Sequence, residues 1–281
     1  MRRLFLLIIS LPALLFLYGV IAAQQAPVVT PYQLEMPGLT RPLRIVQLSD
    51  SHYSPIDMPA SRLRGIVAQM NALKPDLIVL SGDYISGDPS EWTDDEVRTA
   101  IAPFAALHAP LGVFAVLGNH DDAAQTYAAF VDTGVRLLVD KIVDIGPLRV
   151  IGIDDILRGN PPVRALRRMA GAAPADKPVI VLTHEPDFYK YLPPRGILHI
   201  AGHTHGGQVS LPLIGQPMLG DFNAAHVRGL FRETGNTLIV NSGVGTSAMP
   251  IRIGVPPEIT LITLLPAPET PASSAQAAKS P

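Results

Sequence analysis

Six short apolar runs rich in β-branched residues, five of them closing on a polar cluster of imidazole, carboxylate or amide groups, constrain this 281-residue chain more than any other feature. They are LRIVQLSD, DLIVLSGD, GVFAVLGNH, LRVIGIDD, PVIVLTH and ILHIAGH. Runs of this length bounded by glycine, proline and aspartate are expected to be buried strands. Between them lie ASRLRGIVAQMNAL, TDDEVRTAIAPFAALH and DDAAQTYAAFV, whose apolar residues recur at helical spacing. TLIVNSG and EITLITLL follow as two further strand-like runs. Strands alternating with amphipathic helices predict an α/β fold with sheet buried between helices. No self-similarity at solenoid or propeller periods is present.

The polar residues at the run ends fall into a pattern. The first run leads to Asp50 and His52, the second to Asp83, and the third to Asn119, His120 and Asp121. The fifth leads to His184 and the sixth to His203 and His205, so five of the eight histidines stand at such ends. Ligands of open α/β sheets bind beyond the carboxyl ends of strands, so these clusters are expected to converge on one site. Each alone has a plainer reading: an aspartate after a strand caps a helix or turn, and a single histidine is more often a satisfied core or surface residue. Their conjunction favours the site. In GHTHGG, residues two apart can face one cavity in an extended segment, and the glycines permit close backbone approach. His108, His199 and His226 lack polar company of the right type and stay outside the set. Asp154 and Asp155 have no imidazole beside them, and their role is open.

Imidazole, carboxylate and amide oxygen make a mixed nitrogen and oxygen donor set that suits manganese, iron or zinc. Two such metals can activate a water and clamp the oxygens of an in-line phosphoryl displacement, and Asp83 is available to bridge them. No cysteine occurs, which excludes disulfides, thiolate ligands and cysteine nucleophiles. The net charge of −2 and the absence of strong basic clusters argue against nucleic-acid binding.

The chain begins with Arg2 and Arg3 ahead of an uncharged apolar run over residues 4–23. About 20 such residues suffice for a transmembrane helix, and the positive-inside rule then places the remainder outside the cytoplasm. An uncleaved signal anchor and a signal peptide cut near Ala22 and Ala23 are the two readings, and RRLFLL also resembles the core of a twin-arginine export signal. Residues 24–41 are expected to be a linker, 42–265 the folded domain, and the low-complexity 266–281 a disordered tail.

The ordered set DSH, GD, GNHD, TH and GHTH resembles the signature of the calcineurin-like metallophosphoesterases, across residues 50 to 205. GHTHGGQ and GTSAMPIRIGVPPEITLITL further resemble the membrane-associated or exported bacterial branch, some of whose members hydrolyse the pyrophosphate of UDP-diacylglucosamine. The resemblance implies a four-layer fold, two mixed β-sheets packed face to face with helices outside. It implies two divalent metals, manganese first with iron or zinc as alternatives. Asp50, His52, Asp83 and His205 would hold one, and Asp83, Asn119, His184 and His203 the other. His120 would assist the leaving group, oriented by Asp121, with a metal-bridged hydroxide as nucleophile.

Two departures from the family pattern bear on substrate. No arginine follows Asp83 as in the protein phosphatases, and Asn241 and Ser242 stand where serine and arginine are expected in the membrane-associated branch. The expected activity is hydrolysis of a phosphodiester or pyrophosphate, with a lipid-linked or envelope-derived substrate suited to the anchor. A UDP-diacylglucosamine hydrolase, a phosphomonoesterase and a non-catalytic metal-binding module are the alternatives.

Overall fold

The structure is a computed structural model that describes residues 2–157, 163–172, 177–219 and 225–268, with side chains from residue 11 in the first helix and from residue 167 in the last. Two six-stranded mixed sheets pack face to face. In the first the order is β1 (Val28–Met36), β12 (Glu258–Pro266), β2 (Leu43–Leu48), β3 (Leu77–Leu80), β4 (Val113–Ala115) and β5 (Arg136–Leu137). In the second it is β10 (Gly229–Glu233), β11 (Asn236–Val240), β9 (Leu198–Ala201), β8 (Val179–Leu182), β7 (Arg149–Gly152) and β6 (Lys141–Asp144). The central strands of both sheets run parallel, as the buried β-branched runs require, with antiparallel pairs at β12·β2, β10·β11 and β6·β7.

Strand alternation sorts each run between two layers. Ile45, Val79, Phe114, Ile180 and Ile200 meet between the sheets. Val46, Leu48, Ile78 and Leu80 face α2 (Ala60–Ala72), α3 (Asp94–Ile101) and α4 (Ala123–Phe130), whose Leu63, Met70, Ile101 and Phe130 cover them. On the outer face of the second sheet, Ile151, Val181 and Leu238 pack under Phe188 and Tyr189 of the turn Pro186–Tyr191 and under α5 (Val163–Ala172). The result is the four-layer sandwich of two mixed sheets flanked by helices. Thr93 and Glu96 form a reciprocal capping box that starts α3, and the Asp122 carboxylate accepts from Ala124 and Gln125 to start α4.

Residues 28–36, expected to lie in a linker, form edge strand β1, paired in parallel with β12. Leu34 and Met36 alternate inward past exposed Gln33 and Glu35, and Pro31 is tolerated because β1 has a free edge. The tail beyond residue 268 lies outside the described residues. The apolar run expected as an anchor belongs to α1 (Arg2–Ala23). Among the residues whose side chains are described, which take in only 11–23 of α1, no helix is long and apolar enough to cross a membrane. The last turn of α1 seats on the domain: Val20 packs on Val209, Ile251 and Ile253, and the Gly19 carbonyl accepts from the Arg252 amide at 2.9 Å.

Candidate metal centre

Every polar cluster read from the sequence leaves the carboxyl end of a parallel strand: Asp50 and His52 after β2, Asp83 after β3, Asn119 and His120 after β4, His184 after β8, His203 and His205 after β9. Since the sheets stack, both sets of ends open to one side. Gln47 ties the sheets directly beneath, its amide donating to Ser81 Oγ at 2.9 Å and across the interface to the Ala201 carbonyl at 2.8 Å. The side chains resolve into two groups able to hold a metal ion, Asp50 with His52 and His205, and Asp83 with His184 and His203.

Asp83 Oδ2 joins the groups, lying 3.3 Å from His52 Nε2 and 3.1 Å from His184 Nε2. Its Oδ1 accepts from the His120 amide at 2.8 Å. His52 Nε2 faces His205 Nε2 at 3.0 Å, and His184 Nε2 faces His203 Nδ1 at 3.1 Å. The far nitrogens explain this: His52 Nδ1 donates to the Ile85 carbonyl at 3.1 Å and His184 Nδ1 to the Ser81 carbonyl at 2.7 Å. With those protons committed, each ring aims its other nitrogen at the centre, where it can offer a lone pair to a metal, as metal-ligating histidines do. Asn119 Oδ1 is buried with no hydrogen-bond partner, an orphan that an amide-oxygen ligand role would satisfy.

Electrostatics favours a cation here. Burial pushes the Asp83 carboxyl up, but His184 and His52 override it and hold the group well below the usual carboxylate range. Burial pulls His184 down, yet Asp83 lifts it well above its ordinary value. His203, buried and beside His184, is pulled down to about 3. The cluster therefore draws positive charge into its middle while keeping His203 neutral, and a metal pair meets both demands. The donor set fits the two metals expected.

The backbone here is strained in a way the sequence does not advertise. Asp50, His52, Asp83, His203 and His205 all take positive φ, between 41° and 72°. Non-glycine residues rarely do so, and each instance costs on the order of 1–3 kcal/mol. His203 and His205 thus reach one centre through a left-handed turn rather than by strand alternation, and each joins a different group. Close approach demands glycine at two positions: a Cβ on Gly118 would lie 2.2 Å from Asp83 Oδ1, and one on Gly202 1.7 Å from Ser49 Oγ. Gly118→Ala is therefore expected to displace Asp83, costing about 1–3 kcal/mol of stability and reducing metal uptake. Thermal melts with and without manganese check this; an unchanged melting point and metal content would refute the contact argument.

His120 sits edge-on to His52, ring centroids 5.0 Å apart, with Nδ1 bonded to the Gly87 carbonyl. Asp121, expected to orient it, is buried and turned elsewhere. Its Oδ2 accepts from the Asp83 and Gly118 amides and its Oδ1 from the Tyr84 amide, each at 2.8 Å. Burial, with Asp83 nearby, raises it to about 7. Asp121 thus braces the backbone that carries Asp83, and the orienting acceptor for His120 is a carbonyl 33 residues away in sequence.

Arg252 is the neighbour that sequence reading missed. Fully buried, it donates to the Gly245 and Ser242 carbonyls, and its Nη2 lies 3.4 Å from His205 Nδ1. Nothing local distinguishes an arginine in PIRIG from a surface residue. Asn241 and Ser242 serve the scaffold: Asn241 donates to Thr260 Oγ1 at 2.7 Å, and the Ser242 amide donates to Glu258 Oε2 at 3.0 Å. Asp154 and Asp155 join neither ligand group; Asp154 accepts from the Asp155 amide and Asp155 from that of Leu157. His199 is buried against Thr183 Oγ1, 2.7 Å away, and is pulled down to about 3 by burial. His108 and His226 also lie outside the centre, bonded respectively to the Ala106 carbonyl and Glu233.

The chain matches the calcineurin-like phosphoesterase family model over residues 43–207. It is 30% identical over 234 residues to the uncharacterised metallophosphoesterase YkuE of Bacillus subtilis, covering 79% of this chain and 78% of that protein. It is also 30% identical over 237 residues to the phosphodiesterase YaeI of Escherichia coli, covering 80% and 83% respectively. Among solved structures, a dimetal phosphatase from Danio rerio superposes with a TM-score of 0.50 at 14% identity, over 74% of this chain and 88% of the other, a likeness of fold.

Proposed function

Since the chain belongs to the calcineurin-like phosphoesterase family and is a metal-dependent phosphoric ester hydrolase, we propose that it cleaves a phosphodiester or pyrophosphate bond at a two-metal centre. Asp50, His52, Asp83 and His205 would hold one metal, and Asp83, Asn119, His184 and His203 the other, with Asp83 shared. When bound, such a pair supplies Lewis acidity and lowers the pKa of a coordinated water. Manganese is the first candidate, ahead of iron and zinc.

The remaining work falls to the chain. A cleft of about 520 Å³ reaches His52 and His120 and is walled by Ser54, Ser86 and Thr246. His120 is held at Nδ1 by the Gly87 carbonyl, which leaves Nε2 to give a proton to the departing oxygen. One observation favours diesters over monoesters: among the described residues, no lysine or arginine lines this cleft. A dianionic monoester would have no side-chain counter-charge beyond the metals and the protonated His120, whereas a diester carries one charge fewer and its second substituent can lie on the apolar wall of Ile56 and Met249. The Escherichia coli relative is named a phosphodiesterase, which agrees with this reading.

We also propose that α1 anchors the enzyme, with the catalytic domain outside the cytoplasm and a substrate drawn from lipids or the cell envelope, as in the membrane-associated branch. The support is the uncharged run over residues 4–23 within a single helix. A UDP-diacylglucosamine substrate fits less well, since such sugar nucleotides lie on the cytoplasmic side. The full chain, purified in detergent, is expected to hydrolyse bis-p-nitrophenyl phosphate with manganese, to stop with EDTA, and to recover on manganese addition. Turnover indifferent to EDTA would defeat the two-metal reading, and preference for p-nitrophenyl phosphate would reverse the diester assignment.

A further inference from the structure

We propose that the loops around the mouth of the cleft form a bilayer-docking surface, so that the centre works on phosphodiesters presented by lipid headgroups; this rests on the diesterase reading above. The chain exposes large apolar residues at loop tips where water-facing loops ordinarily carry polar ones. Ile56 is 90% exposed and stands with Met249 on the lip of the cleft that reaches His120. Leu213 is fully exposed and Ile214 is 69% exposed, at the tip of a tight turn closed by reciprocal amide bonds between Leu211 and Gly215 at 2.8 and 2.9 Å. Leu213 has φ 67°, a conformation that turns usually give to glycine or asparagine. A leucine there carries both backbone strain and hydration cost, which a contact made by its side chain would offset.

What covers these tips follows from their neighbour. Leu211, at the base of the turn, packs with Val209, Ile251 and Ile253 in the same cluster that receives Val20 of α1. The tip therefore rises beside the last turn of α1. Above that turn, Leu11, Leu14, Leu15, Phe16, Leu17 and Tyr18 are all exposed. At 100° per residue these six point around the whole circumference of the helix. A second copy or a protein partner covers one face of a helix, whereas lipid covers all of them. The Arg62 guanidinium donates both to the carbonyl of Asp57, next to Ile56, and to that of Ala23 at the end of α1, so both tips flank the turn where that surface begins; this commits them to the membrane interface and brings the lip of the cleft to the headgroups with them.

The absence of cysteine permits a direct test. Full-length Ile214→Cys and Ile56→Cys, each carrying a nitrobenzoxadiazole label, are reconstituted in phosphatidylcholine and phosphatidylglycerol vesicles. Asp132→Cys serves as control, at the exposed carboxyl end of α4, remote from the strand ends that bear the site. Nitroxide-labelled lipid is expected to reduce fluorescence roughly twofold or more at positions 214 and 56 and to leave position 132 unchanged. Labels at 214 and 56 that iodide quenches and nitroxide lipid does not would overturn the docking surface. So would labels shielded from both quenchers, which would mean that a second copy covers the tips. Co-flotation of the unlabelled chain with the vesicles and its hydrolysis of bis-p-nitrophenyl phosphate are measured alongside: failure of the first would remove the anchor on which the docking also rests and failure of the second the diesterase reading, whereas quenching in chains that do float reports only on the surface.

Discussion

Asp83→Asn is expected to leave the fold intact and the centre unable to retain its metals, with turnover reduced by more than ~100-fold. Loss of a partner that merely orients a ligand costs ~10–100-fold in metal affinity or activity, and a shared ligand should cost more. The asparagine keeps the volume of the aspartate and an oxygen able to accept from the His120 amide, now 2.8 Å from Asp83 Oδ1. What changes is the atom between the two imidazoles. Asp83 Oδ2, 3.3 Å from His52 Nε2 and 3.1 Å from His184 Nε2, becomes an NH2 group that cannot bridge cations. The negative charge that lifts His184 disappears with it. Metal analysis per chain, alongside bis-p-nitrophenyl phosphate hydrolysis, checks both parts. Two metals retained with near-normal turnover would mean that Asp83 does not link the groups.

His120→Ala is expected to behave in the opposite way, holding both metals while losing roughly 10²–10⁴-fold in turnover, the range ascribed to general acid–base catalysis. His120 belongs to neither ligand group, and its ring stands at the cleft wall with Nδ1 fixed on the Gly87 carbonyl. The size of the loss should depend on the leaving group. A p-nitrophenolate departs readily without a proton, whereas an alkoxide does not, so an alkyl diester should suffer more than the nitrophenyl diester. Equal losses on both substrates would point to a positioning role for His120 rather than proton delivery. Loss of metal would place it among the ligands.

The central strands were legible because burial on both faces writes itself as a continuous β-branched run, and β2, β3, β4, β7, β8, β9, β11 and β12 fall on the expected segments. Helices α2, α3 and α4 fall likewise on the amphipathic stretches, the last turns of the α3 segment tightening into a 3₁₀ helix over Ala102–Ala106. The edges were not legible. β1, β5, β6 and β10 are short or half-buried, so their residues carry no strong apolar period, and their pairing depends on what lies alongside.

The same division runs through the site. Asp50, His52, Asp83, Asn119, His120, His184, His203 and His205 could be named from the sequence because strand direction alone carries residues after parallel strands to one end of a sheet. The sequence also determined, through its donor types and its lack of cysteine, that a centre built from them would bind hard or borderline metals. The family resemblance implied which imidazoles join which carboxylate, but only the tertiary structure shows what aims them, left-handed turns at Asp50, His52, Asp83, His203 and His205 whose strained φ values persist only where surrounding packing enforces them. It alone turned Asp121 inward to three amides and gave His120 a carbonyl from Gly87 instead. It also set Arg252 behind His205, since a contact between residues 47 positions apart leaves no local pattern for a sequence to display.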